Sequence, residues 1–85
     1  MVDDDFRWNA WNVDHIGEHG VTPEEAEHVI RFARRPYPRP HRMGSWLVIG
    51  RGNSNRRVEV VFIRDPDETM YVIHAMPRRR SKGRS

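Results

Sequence analysis

The stretch SWLVIGRGNSNRRVEVVFIRDPDETMYVIHAM, residues 45–76, decides the fold class of this chain. It holds three segments rich in β-branched and aromatic residues, the composition that favours strands. These segments are separated by GNSN (52–55) and DPDE (65–68), both typical of turns. Because turns this short join antiparallel neighbours, we predict that residues 45–76 form a three-stranded β-meander.

Alternate residues along these strands are expected to share a face of the sheet. The set predicted for one face is Leu47, Ile49, Arg51, Arg57, Glu59, Val61, Ile63, Met70, Val72, His74 and Met76. If the registers align, the four polar members of this set meet and form a phosphate- and nucleotide-binding surface. The alternative is ordinary cross-strand charge pairing on a solvated face.

A first helix is predicted upstream, after the short strand FRW (6–8). Asn9 would cap it, and Gly20 would supply the left-handed residue that ends many helices. His15 and His19 lie four residues apart within this segment. We expect His15 to pack or cap between the helices, and His19 to occupy a helix C-terminus, where a positive charge is favoured. HIGEH lacks the glutamate placement of the zinc motif H-E-x-x-H, so no metal is predicted.

The second helix has the stronger start sequence, TPEE. Thr22 is the predicted N-cap, Pro23 the first helical residue, and Glu25 the partner that completes a capping box. Glu27 and Arg31 are spaced as an ion pair on the outer surface. The apolar stripe that follows at helical spacing is Ala26, Val29, Ile30 and Ala33.

These elements predict an α+β fold in the order β-α-α-β-β-β. We expect a three- to four-stranded antiparallel sheet with the two N-terminal helices packed on one face. The proline-rich RRPYPRPHRMG (34–44) joins helices and meander as an extended connection. The predicted organisation is one domain over residues 1–77 and a basic tail over residues 78–85 whose composition indicates disorder.

Charge and composition limit the classes of function that the chain can have. Fifteen basic residues oppose twelve acidic ones, and all but one of the basic residues are arginine. The planar arginine fork suits phosphate, so a nucleic acid or an acidic protein is the expected partner. The absence of cysteine excludes disulfides and thiolate metal sites. No apolar run approaches the roughly 18–20 residues of a membrane span, and MVDDDF is acidic, so we expect a soluble cytoplasmic protein.

Cleavage of RNA without a metal ion or other cofactor is the chemistry that best fits these residue types. A base must take the proton of a 2′-OH, an acid must protonate the departing 5′ oxygen, and cations must hold the phosphate charge. Histidine titrates near neutrality and serves in either proton role, while arginine clamps phosphate.

The chain also resembles a known family. The segments that carry the resemblance, in order, are FRWN (6–9), HIGEHGVTPEEAEHVI (15–30), WLVIGRG (46–52), RRVEVVFI (56–63) and YVIHA (71–75). Together they look like the BrnT toxin family of bacterial type II toxin–antitoxin modules over about residues 6–76. The resemblance implies a RelE-like α+β fold, an RNA cleavage that stops translation, and neutralisation by a co-expressed DNA-binding antitoxin.

The resemblance also assigns candidate residues. His19, Arg51 and Arg57 match family positions, and His74 stands where many members have a small polar residue. We predict Arg51 and Arg57 as phosphate clamps, with His19 or His74 in proton transfer. The tail arginines expected to add salt-sensitive affinity for RNA are Arg78, Arg79 and Arg80.

Three departures keep a second hypothesis open. Gly17 and Glu18 stand where the family commonly has basic residues, and Met76 stands where it commonly has arginine. Pro77 and the basic tail follow where the family usually continues into a helix. The alternative is thus a catalytically eroded module that binds RNA or a protein without cleaving. A DNA-binding regulator is less favoured, because the second helix begins Pro-Glu-Glu and would present negative charge to phosphate.

Overall fold

The structure, a computed structural model, describes residues 5–78. Its elements are β1 (Phe6–Arg7), α1 (Ala10–Gly17), α2 (Pro23–Arg31), β2 (Arg39–Pro40), β3 (Trp46–Arg51), β4 (Arg57–Arg64) and β5 (Met70–Pro77). The α+β class and both predicted helices are confirmed. Within residues 5–78, no helix is long and apolar enough to cross a membrane. Apart from Arg78, the predicted tail lies outside the described residues.

The sheet has five strands in the order β1-β5-β4-β3-β2. Strands β3, β4 and β5 are antiparallel neighbours, which confirms the meander. The prediction of a three- to four-stranded antiparallel sheet is wrong in two respects. Two residues of the proline-rich connection form β2, because an edge strand does not need the N–H that Pro40 lacks. Strand β1 pairs in parallel with β5, so the sheet is mixed.

Both helices pack on the same face of the sheet, as predicted. The buried core between the two layers is Ile16, Val21, Ala26, Val29, Ile30, Val48, Val58, Val60, Phe62, Met70, Val72 and Ala75. The apolar stripe of α2 is therefore confirmed for Ala26, Val29 and Ile30. Ala33 packs against this core but lies beyond the end of the helix, which stops at Arg31. On the other side of α2, Arg31 Nη1 lies 3.1 Å from Glu27 Oε1, which confirms the predicted ion pair.

A register shift in β5 changes the predicted face of the third strand. Val61 lies opposite His74 but Phe62 lies opposite Val72, which leaves Ile73 as an extra residue in a β-bulge. The bulge reverses the alternation, so the set predicted for one face is split. Met70 and Val72 face the core, whereas His74 and Met76 belong to the opposite face.

Helix α1 is capped as predicted and is also tied to the sheet. The Asn9 side chain accepts the Asn12 N–H at 3.2 Å, and the Asn12 side chain accepts the Asn9 N–H at 2.8 Å. The amide of Asn12, which is fully buried, also donates to the carbonyl oxygens of Arg7 (3.1 Å) and Val72 (3.0 Å). One buried side chain therefore joins β1, α1 and β5.

The predicted glycine stop of α1 is confirmed. Gly20 has φ +76°, and its N–H donates to the Gly17 carbonyl at 2.9 Å. The Val21 N–H donates to the Ile16 carbonyl at 3.2 Å, which completes a Schellman motif. This turn fixes His19 at the end of the helix.

The predicted capping box of α2 forms only by half. Thr22 Oγ1 accepts the Glu25 N–H at 3.2 Å, which confirms the N-cap. The Glu25 carboxylate, however, does not return to Thr22. It accepts hydrogen bonds from Arg56 and from the Asn53 N–H, because those donors reach it from the β3–β4 turn.

Candidate functional site

The sheet face opposite the helices, here called the outer face, gathers the polar residues that alternation predicted. Arg51 lies directly opposite Arg57 on the neighbouring strand. His74 on β5 lies opposite Val61 of β4, and Val61 is two residues after Glu59 on β4. Strands β3, β4 and β5 thus bring all four polar side chains to one surface.

Glu59 and His74 form a close pair at the centre of this surface. His74 Nε2 lies 2.8 Å from Glu59 Oε2, and the two side chains are 30% and 27% exposed. When the imidazole is neutral and donates from Nε2, its Nδ1 atom is left as a proton acceptor. The carboxylate therefore orients the ring and selects its tautomer, as in other histidine–carboxylate pairs.

His19 lies beside His74, although the two residues are distant in sequence. Their ring centroids are 6.0 Å apart, in an edge-on arrangement at 67°. Strand β1 pairs only with Met70 and Tyr71, so the rest of the β5 edge is open to the end of α1. The structure thus brings together the two histidines that the sequence proposed for proton transfer.

An arginine cleft lies at the end of the outer face that is nearest the β3–β4 turn. This cleft of about 270 Å³ is lined by Arg51, Arg56, Arg57 and Arg78. The Arg78 N–H donates to the Arg57 carbonyl at 2.9 Å, and Arg78 Nε lies 3.7 Å from Glu59 Oε1. Glu59 therefore connects the arginine cleft to His74. The other predicted tail arginines, Arg79 and Arg80, lie outside the described residues.

Arg56 was not predicted, and it differs from its neighbours because it is already engaged. Its Nε and Nη2 atoms lie 2.9 and 2.6 Å from the two carboxylate oxygens of Glu25, whose side chain is 0% exposed. The Asn53 N–H adds a third hydrogen bond at 2.7 Å. The Arg56 guanidinium, opposed by the effect of burial, holds the pKa of Glu25 below its ordinary value. This clamp fixes the turn that carries Arg51 and Arg57.

A second unpredicted feature is a row of stacked rings, here called the aromatic row: Tyr71, Trp11 and His15. The His15 ring does not lie between the helices; it stacks on Trp11 of the same helix at 4.8 Å and 12°. Trp11 in turn lies 6.4 Å from Tyr71 at 19°, and Arg7 Cζ lies 3.9 Å from the Tyr71 ring centroid. The spacing of Trp11, His15 and His19 at i, i+4 and i+8 was the sequence feature that could have revealed it.

The positions that depart from the BrnT pattern surround this site. Gly17 and Glu18 are exposed at the end of α1, next to His19. Met76 is half-buried on the outer face, opposite Glu59. Within residues 5–78, no three His, Asp or Glu side chains are grouped as they would be to hold a metal ion.

Comparison with known proteins adds no identification. No family model matches the chain, and no curated protein or solved structure does so either. The BrnT resemblance and the RelE-like fold therefore stay predictions that rest on the sequence motifs.

Proposed function

We propose that this chain is a BrnT-like cytoplasmic toxin with a RelE-like fold: an endoribonuclease that cleaves RNA without a metal ion and inhibits translation. The observation that carries the proposal is the His74–Glu59 pair, with His19 on one side and the arginine cleft on the other. This arrangement supplies a base, an acid and phosphate-binding cations within one continuous surface.

The reaction divides these roles among the side chains. Arg51 and Arg57 bind the phosphate, and His74 takes the proton of the 2′-OH through its free Nδ1 atom. The 2′ oxygen then bonds to phosphorus as the bond to the 5′ oxygen breaks, and protonated His19 gives that oxygen its proton. The products are a 2′,3′-cyclic phosphate and a 5′-hydroxyl. Glu59 stabilises the imidazolium that forms on His74.

The direct test is incubation of the purified protein with labelled RNA in EDTA. We expect cleavage by the wild type and a loss of about a hundredfold or more in His74→Ala, the usual contribution of one acid–base group. An RNA with a single 2′-deoxy position at the cut site should resist cleavage there. Cleavage only after Mg²⁺ is added would contradict the proposal.

Matched variants separate the site from general effects of charge. Arg57→Ala removes a cation from the cleft at the start of β4, and Arg64→Ala removes one from the other end of that strand. His28→Ala removes an exposed histidine from α2. We expect strong loss of cleavage in Arg57→Ala and little change in the other two. Undiminished cleavage by all three variants would place the activity elsewhere or assign it to a contaminant.

One observation favours the alternative of a binding module without catalysis. The Glu59 carboxylate lies near both His74 and Arg78, as in ordinary cross-strand charge pairing, and it adds a negative charge to the surface. An eroded site of this kind would bind RNA through its arginines without cutting it. Intact RNA that binds at low salt and dissociates at high salt would support this alternative.

The proposed antitoxin would cover the outer face. Leu47, Ile49 and Ile63 are half-buried there without a packed layer of helices above them, and Met43 is almost fully exposed close by. A partly acidic partner would bury this apolar surface and neutralise the arginine cleft. A short neighbouring reading frame for a ribbon-helix-helix protein is the expected source. Co-expression of that protein should yield a stable complex in which RNA cleavage is suppressed.

A further inference from the structure

We infer that the aromatic row is a base-stacking subsite for single-stranded RNA, with Trp11 as its main contact. The inference rests on the proposed function and deepens it. It assigns the nucleobases to Trp11 and its neighbours, whereas the phosphates belong to the arginine cleft.

Trp11 is the tryptophan that does not pack against the hydrophobic core. Trp8 and Trp46 are partly buried and pack against the core, and the Trp8 indole N–H donates to Glu27 at 2.7 Å. Trp11, in contrast, is 55% exposed. A large, rigid ring that is held in solvent offers a stacking surface at little entropic cost, because its side chain has only two torsions to restrain.

The ring of Trp11 is also held in place before any ligand arrives. His15 stacks on it at 4.8 Å, and the ring of Tyr71, on strand β5, lies nearly parallel to it. The Tyr71 hydroxyl donates to the Asn9 side chain at 3.3 Å, and Arg7 covers the Tyr71 ring. A base can stack on the part of the indole that these neighbours leave exposed, since Trp11 is 55% exposed, and it meets rings that are already oriented.

The charge around the row suits bases better than phosphates. Arg7 is paired with Asp65 through two hydrogen bonds of 2.8 and 3.1 Å, so its charge is largely compensated. In the arginine cleft, Arg56 and Arg78 have carboxylate partners, whereas Arg51 and Arg57 have none among residues 5–78. A partner protein would require apolar or oppositely charged side chains, whereas flat rings beside a cationic cleft are the combination that binds single strands.

The aromatic row lies close to the histidines proposed for proton transfer. His15 is one helical turn from His19, and His19 lies against His74. From His74 the contacts continue through Glu59 to Arg78 and the arginine cleft. A strand laid along this path has its bases at the aromatic row, its phosphates at the arginines and its reacting bond beside the two histidines.

The test measures binding separately from cleavage. A labelled 2′-O-methyl oligonucleotide, which cannot be cut through a 2′-OH, is titrated with the wild type, Trp11→Phe and Trp11→Leu. Leucine keeps an apolar side chain with good helix propensity but removes the ring. We expect about tenfold weaker binding by Trp11→Leu, because one stacked base contributes about 1–3 kcal/mol, and near wild-type binding by Trp11→Phe.

The controls isolate the bases and the fold. An abasic oligonucleotide of equal length should bind the wild type and Trp11→Leu equally, since only the phosphates remain. Phe32→Leu, which changes an exposed ring immediately after α2, should have no effect, and thermal unfolding confirms that each variant is folded. Equal binding of the 2′-O-methyl strand by wild type and folded Trp11→Leu would overturn the inference. If binding is equal but the wild type cleaves RNA, the subsite is refuted and the proposed nuclease function stands. If Trp11→Leu weakens binding but the wild type does not cleave RNA, the subsite stands and the nuclease function is refuted.

Discussion

Glu25 and Glu59 are two carboxylates with similar partners and opposite surroundings. Glu25 is fully buried and accepts two hydrogen bonds from Arg56. Glu59 is 27% exposed, hydrogen-bonded to His74 and 3.7 Å from Arg78. Removal of one partner from a buried pair leaves an uncompensated charge in the interior, whereas a solvated pair is lost at little cost. Burial therefore makes the first pair structural and leaves the second free to act on a ligand.

The largest effect is expected from Glu25→Ala. It should lower the free energy of unfolding by about 3 kcal/mol, near the low end for a broken buried pair because Arg56 is 37% exposed. Chemical denaturation measures the change. Glu24→Ala, at an exposed position in the same helical turn, is the control and should cost about 0.5 kcal/mol. Similar losses in the two variants would contradict the distinction between buried and exposed carboxylates.

Gly52→Ala tests the same clamp from the opposite side. A Cβ atom at position 52 would lie 2.9 Å from Glu25 Cγ and Cδ, so the carboxylate must move away from its donors. We expect a loss of about 2 kcal/mol in unfolding free energy. Gly17→Ala is the matched control: nothing lies within 4 Å of its added Cβ, and a gain of about 0.5 kcal/mol is expected for an alanine in a helix. A tolerated Gly52→Ala would show that the turn adapts without the clamp.

The pH dependence of stability should come partly from Glu25. Because its folded-state pKa is lowered, mainly by the Arg56 hydrogen bond, its contribution is fully present above the ordinary value of 4.5 and is lost as the pH falls through the folded-state value. Asp65, whose pKa Arg7 and Thr69 lower, acts in the same direction. Urea unfolding between pH 6 and about 2.5 should show stability falling with acid. Glu25→Gln should flatten that fall, and an unchanged slope would argue against the assignment.

The smallest effect on stability, and a large one on activity, is expected from Glu59→Gln. The pair with His74 is solvated, so its loss should change the unfolding free energy by less than about 0.5 kcal/mol. The amide no longer stabilises the imidazolium proposed to form on His74, so RNA cleavage should fall at least tenfold. A destabilised protein with normal cleavage would reverse the roles assigned to the two glutamates.

Local patterns predicted much of this fold, because the residues that decide each element are close in sequence. The stripe of α2 from Ala26 to Ile30, the Gly20 stop and the two short turns of the meander are all of this kind. The pairings that sequence missed depend on distant partners. The parallel contact of β1 with β5 and the edge strand at Arg39–Pro40 leave no periodic pattern in their own short segments.

The candidate site, too, has parts that the sequence predicted and parts that it could not. Strand alternation correctly placed Arg51, Arg57 and Glu59 together on one face. It could not anticipate the bulge at Ile73, which turns His74 to that face while Val72 stays in the core. Nor could the helix-start motif reveal that Glu25 would accept hydrogen bonds from the β3–β4 turn, whose donors are 28 and 31 residues away in sequence.

The edges of the sheet bear on how this protein behaves at high concentration. The outermost strand, β2, is two residues long and consists of Arg39 and Pro40. Proline has no N–H to offer a neighbouring chain, and arginine at an edge opposes the approach of another cationic copy. Such an edge discourages the strand-to-strand association that begins many fibrous aggregates. The small sheet, whose outer face carries the half-buried Leu47, Ile49 and Ile63, is thereby protected along this edge.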